Sequence, residues 1–114
     1  MRKTYFIITL NVYIGTNPFD ENSSIDDGDI EVICESLDDA YLYIDRMIKF
    51  NNDANNKKRS ENEKITYTVK KPDFFEGRQV NVIFKDSDKI WTWEFNIYER
   101  KMFDPELDKF DLKL

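Results

Sequence analysis

One stretch restricts the fold of this chain more than any other: Ser36-Leu-Asp-Asp-Ala-Tyr-Leu-Tyr-Ile-Asp-Arg-Met-Ile-Lys-Phe50. Leu37, Ala40, Tyr41, Ile44, Met47 and Ile48 recur at helical spacing and form one apolar stripe. Ser36 is placed to cap the helix, because its hydroxyl can accept an amide hydrogen bond that the first turn leaves unpaired. Asp38 and Asp39 put negative charge at the end where the helix dipole favours it. The spacing therefore predicts a helix over 36–50, and its stripe needs a surface to cover it.

The flanking segments supply that surface, because they alternate with the period of strands. In 3–14, Phe6, Ile8, Leu10, Val12 and Ile14 form a core face. Tyr5, Ile7 and Tyr13 make the other face partly apolar as well, which predicts a central strand. Gly15 ends it, and Asn17-Pro18 marks a loop running to Gly28. Residues 29–35 read as a second strand, with Ile30, Val32 and Cys34 on one side, joined to the first as an antiparallel hairpin.

After the helix, 51–63 contains no large apolar residue, and its asparagines favour a loop. A third strand is expected at 64–71, ended by Pro72. The strongest hairpin lies at 78–100. There Val80, Val82 and Phe84 alternate up to Lys85-Asp-Ser-Asp-Lys89, and Trp91, Trp93, Phe95 and Ile97 alternate down. Asp104-Pro105 is a cap followed by proline at the first helical position. Phe103, Leu107, Phe110 and Leu114 then recur at helical spacing. This predicts a short helix at about 104–112 with those residues packed down; the alternative is an extended arm that docks on a partner.

The expected fold is a single α+β domain over 1–114, with the order ββαβββα. A five-stranded, largely antiparallel sheet carries the main helix on one face. The 17 aromatic residues are enough to build such a core.

Composition removes several functions. There is no histidine, so Ser-His-Asp catalysis, Cys-His catalysis and ordinary zinc sites are excluded within one chain. Cys34 is the single cysteine, so no internal disulfide can form; this fits a reducing compartment such as the cytoplasm. Met1-Arg-Lys before an apolar run looks slightly like a signal peptide. Thr9 and Asn11 interrupt that run, and the alternation reads better as a strand. No apolar run approaches the ~20 residues of a membrane span. The net charge of −6 disfavours direct contact with nucleic acid.

That charge is concentrated. Between Gly15 and Asp45 stand Asp20, Glu21, Asp26, Asp27, Asp29, Glu31, Glu35, Asp38, Asp39 and Asp45, with no Lys or Arg among them. Such a run creates a local negative potential. One reading is a solvated surface that keeps the chain soluble. A second is a cation- or small-ligand-binding module; in its calcium form Asp20, Asn22, Ser24, Asp26 and Glu31 fall at positions 1, 3, 5, 7 and 12 of a calcium-loop pattern. Ile25 stands where that pattern needs its glycine, so no metal residue and no cofactor is assigned. A third is catalysis by paired carboxylates, for which only Glu94, between Trp93 and Phe95, has an unusual setting; its expected partner is a Lys or Arg across the sheet. The fourth, preferred, is a non-catalytic protein-binding surface of Asp20, Glu21, Asp26, Asp27, Asp29, Glu31, Asp38 and Asp39 that meets a basic groove. A further alternative is an oligomeric structural protein.

The run Cys34-Glu-Ser-Leu-Asp-Asp-Ala-Tyr-Leu-Tyr-Ile44 resembles a pattern in small proteins of phages and mobile elements: strand, serine, acidic pair, alanine, then helix. By type, the small acidic chain is also similar to anti-CRISPR inhibitors. The resemblance implies an inhibitor acting in a host cytoplasm on a defence or nucleic-acid-processing enzyme. It carries no functional residues with it.

Overall fold

The computed structural model describes residues 3–15, 24–71, 78–86 and 88–107, and for 24–27 the backbone course alone. Among these residues the chain forms β1 (Thr4–Ile14), β2 (Ser24–Cys34), α1 (Leu37–Asn56), β3 (Thr68–Lys70), β4 (Gln79–Asp86) and β5 (Lys89–Lys101). One 3-10 turn (Glu61–Glu63) lies between α1 and β3. The five strands make one sheet in the order β2-β1-β5-β4-β3, with every neighbouring pair antiparallel. The class is α+β.

β1 is central because β2 and β5 pair along its two sides. Its even residues and the odd residues of β5 form the helix-side face. Ile8 stands opposite Ile97, and Leu10 opposite Phe95. Phe6, Ile8, Val80, Val82, Phe95 and Ile97 are buried there with Ala40 and Ile44 of the helix. Leu37, Tyr41, Met47 and Ile48 pack around them, so the whole expected stripe faces the sheet. Ile8, Ile44 and Phe95 lose all solvent contact. Each such side chain contributes on the order of 2–3 kcal/mol. Beyond the core cluster, Tyr67, Phe84 and Trp93 stack together, with Phe84 and Trp93 edge to face at 5.1 Å.

Four sequence expectations are corrected. The helix does not stop near Phe50 but continues to Asn56, through residues expected as loop. Its asparagines make the extension hold: Asn51 donates to the Met47 carbonyl at 2.9 Å, and Asn56 bonds to the chain beyond. β2 starts at Ser24 rather than Asp29, pairing through irregular steps near Glu31 and Gly28. The step at Glu31 places Ile30 opposite Thr9, on the face away from the helix, not with Val32 and Cys34. β3 is only Thr68–Lys70 rather than 64–71, because the backbone of Ile65 is held by Asn56 instead of a strand.

At the C-terminal end, Asp104 caps one turn over 105–107: its carboxylate accepts from the Glu106 amide at 2.9 Å. The rest of the helix expected at 104–112 lies outside the described residues. Phe103 and Leu107, expected to pack down, are 61% and 57% exposed. No helix among the described residues is long and apolar enough to cross a membrane.

Candidate functional site

The end of β2 and the start of α1 run on from one another, with Asp29, Ile30, Glu31, Ile33, Glu35, Asp38 and Asp39 exposed and Val32, Cys34 and Leu37 turned towards the core. Ser36 holds the turn between them, accepting the Asp39 amide on its hydroxyl at 3.0 Å. The cap stops the helix from continuing backwards and fixes Asp38 and Asp39 on its first turn. Asp29, Glu31, Asp38 and Asp39 are all exposed. Among the described residues, no Lys or Arg lies within ion-pair distance of these four carboxylates. Glu35, between them in sequence, differs: Lys3 donates to it at 2.9 Å, and this bond holds its carboxyl below the usual range.

The acids act on their neighbours. Burial, and then the Asp39 carboxylate, push the Cys34 thiol up. Burial raises the Tyr43 phenol, and Glu31 adds to it, as does Cys34. Asp39 thus acts on Cys34, and Glu31 on Tyr43, which Cys34 also influences. Neutral thiol and phenol there leave the field to the carboxylates.

Of the other expected surface residues, Asp20 and Glu21 lie outside the described residues. Asp26 and Asp27 lie on β2 rather than in a loop, and their side chains are outside what is described. The oxygen-ligand pattern of Asp20, Asn22, Ser24, Asp26 and Glu31 falls mostly outside as well. Among the described residues, no group of three or more Asp, Glu or Cys side chains is arranged to hold a metal ion.

A second constellation was hardly legible beforehand. On the face away from the helix, Asn11, Glu94 and Asn81 lie in one cross-strand row, and Thr9, Asn96 and Gln79 in the next. Glu94 Oε1 accepts from Asn11 at 3.1 Å and from Asn96 at 3.0 Å; Gln79 donates to Asn96 at 2.9 Å. Gln79, Asn96 and Thr92 are buried. The expected Lys or Arg partner of Glu94 is thus replaced by two carboxamides. Glu94 was the only signal in the sequence for this network; the rest needed the pairing of the first strand with the last. Asn81 donates to Gln79 at 3.4 Å, so the side chains join β1, β5 and β4, and the Asn81 Oδ1 is left as a buried acceptor with no partner among the described residues. Among the described residues no second acid shares the network, so it does not offer the paired carboxylates of glycosidase-type chemistry.

A shallow cleft of about 390 Å³ opens beside the acidic segment, lined by Lys3, Tyr5, Ile33, Cys34, Glu35 and Met102. Another, of about 450 Å³, lies between the second half of α1 and the chain at 61–67. No protein-family model, curated protein or solved structure matches the chain.

Proposed function

We propose that this protein is a non-catalytic binding module that engages a basic surface of another protein through its acidic edge. The observation that carries this reading is the segment from Asp29 to Asp39. Four exposed carboxylates, with no ion-pair partner among the described residues, stand on a strand end and a capped helix start. Fixed charges of one sign steer and orient an oppositely charged partner, and rigid placement lowers the ordering cost of binding. In its sharper form, the partner is a nucleic-acid-processing or defence enzyme. The carboxylates then occupy the groove meant for phosphates, and the protein is an inhibitor of the phage, anti-CRISPR type.

The test is capture of partners by immobilised protein, with and without Asp29→Asn, Glu31→Gln, Asp38→Asn and Asp39→Asn combined. A control variant carries Glu61→Gln and Glu63→Gln, exposed acids on the 3-10 turn. The expected partner is retained by the wild type and the control, lost from the fourfold variant, released as salt rises, and displaced by DNA of any sequence. Equal capture by the fourfold variant would sink the reading.

A further inference from the structure

β2 is an edge. It pairs with β1 on one side, and among the described residues no strand pairs with its other side. An edge of this kind presents unpaired N–H and C=O groups, which template the addition of another strand. Natural edges are guarded by charge and by bulges, and β2 has both: irregular pairing near Glu31 and Gly28, and acids at Asp29 and Glu31. Those guards are selective. A second copy would bring like charges against one another, whereas an extended segment with alternate Lys or Arg would find opposite ones.

Apolar residues lie at the same edge. Ile30 and Ile33 are 65% and 60% exposed, on the face away from the helix. The cleft walled by Tyr5, Ile33 and Met102 begins where Ile33 stands. A strand laid along 29–34 would alternate its side chains. One set would lie over Ile30, Ile33 and the cleft, and the other near the helix start with Asp38 and Asp39.

We infer that the outer edge of β2, over residues 29–34, accepts an extended cationic segment of a partner protein as an added strand, with an apolar side chain in the Ile33 cleft. The inference rests on the acidic-surface reading and specifies its mode: main-chain bonding supplies affinity, and alternate side chains supply selection.

The experiment uses the full chain and a blocked peptide of alternating lysine and valine. Three comparison peptides accompany it: one with alternate backbone nitrogens methylated, one with glutamate for lysine, and one with serine for valine. Binding is followed by calorimetry, and the contact by amide hydrogen exchange. The expected result is binding of the lysine–valine peptide with slowed exchange of β2 amides within 29–34. Loss of its main-chain bonds by methylation should weaken binding roughly tenfold or more. Ile33→Lys, at an exposed position where the fold is retained, should weaken it to a similar degree, as should the serine peptide.

Equal binding of the methylated peptide, or exchange slowed only at the helix start, would overturn the added strand and leave the acidic reading standing. Equal binding of the glutamate peptide would overturn both. Absence of binding by the lysine–valine peptide, or a β2-mediated dimer of the protein alone, would overturn the inference.

Discussion

Asn56 and Ile65 are joined as two residues of neighbouring strands are joined. The Asn56 carboxamide donates to the Ile65 carbonyl at 2.9 Å and accepts the Ile65 amide at 2.7 Å. A side chain at the end of α1 thus takes both backbone groups of a residue nine positions on. Ile65 is buried at 6% exposure, so its polar backbone needs partners other than water. The clamp ends the helix, folds the chain back over it, and delivers Tyr67 to Phe84 and Trp93.

Asn56→Ala should therefore cost more than a surface helix substitution. It leaves a buried N–H and a buried C=O without partners, for a loss of about 2 kcal/mol and a Tm fall of roughly 8 °C. Asn56→Asp keeps the acceptor but sets a carboxylate oxygen against the Ile65 carbonyl at the C-terminal end of the helix, so it should recover little of the loss. Chemical denaturation of the three proteins checks the order. Equal stability of Asn56→Ala and the wild type would show that the clamp contributes nothing.

The same asparagines explain what could be read beforehand and what could not. The stripe from Leu37 to Ile48 was legible because burial on one face imposes a helical period on the residues themselves. The alternation of β4 and β5 was legible for the same reason. Asn51 to Asn56 carry no apolar stripe; the Asn51 bond to Met47 is local to the helix, but the bonds of Asn56 to Ile65 depend on the chain folding back over it. Ile30 belongs by alternation with Val32, and only the pairing with β1 reveals the extra residue that turns it to the other face. For the acids, exposure of Asp29, Glu31, Asp38 and Asp39 follows from their chemistry. That Glu35 differs follows from Lys3, more than thirty residues away in sequence. The Glu94 network was hidden in the pairing of the chain's first and last strands.

Gly28 occupies a position that alanine fills badly for two reasons. Its φ is +54°, and a Cβ there would lie 3.0 Å from Asn11 Oδ1, the carboxamide that donates to Glu94. Gly28→Ala should cost roughly 1–2 kcal/mol from backbone strain alone, with more if Asn11 must move. The second part is separable. In an Asn11→Ala background the neighbour is gone, and Gly28→Ala should cost less than in the wild type. A double-mutant cycle by urea denaturation reads this directly; strict additivity would mean that Asn11 does not feel the added methyl.

The Ser36 cap predicts a local effect. Ser36→Ala removes the acceptor of the Asp39 amide and should cost about 1 kcal/mol. Ser36→Asp keeps an acceptor and should restore most of it. Hydrogen exchange should quicken at the Asp39 amide in the alanine variant first, because that amide loses its partner, while core amides follow only the global loss.

Alkaline pH should destabilise the fold, and Tyr13 should account for part of the loss. Tyr13 is 4% exposed on the second face. Burial, and then the Glu94 carboxylate, raise its phenol above the usual value of 10.0, against a smaller opposing effect of its bond with Thr92. The unfolded chain therefore loses this proton first as pH rises. Above the unfolded value it binds fewer protons than the native state, so stability is fully present below the unfolded value and falls with pH from there through the raised native value. Tyr43 and Cys34 are raised as well and act with the same sign, with the thiol starting to contribute at lower pH. Tyr13→Phe lacks the ionisable group, so its urea midpoint should decline less steeply than the wild type's above pH 10. Parallel declines in the two proteins would assign the alkaline loss to other groups.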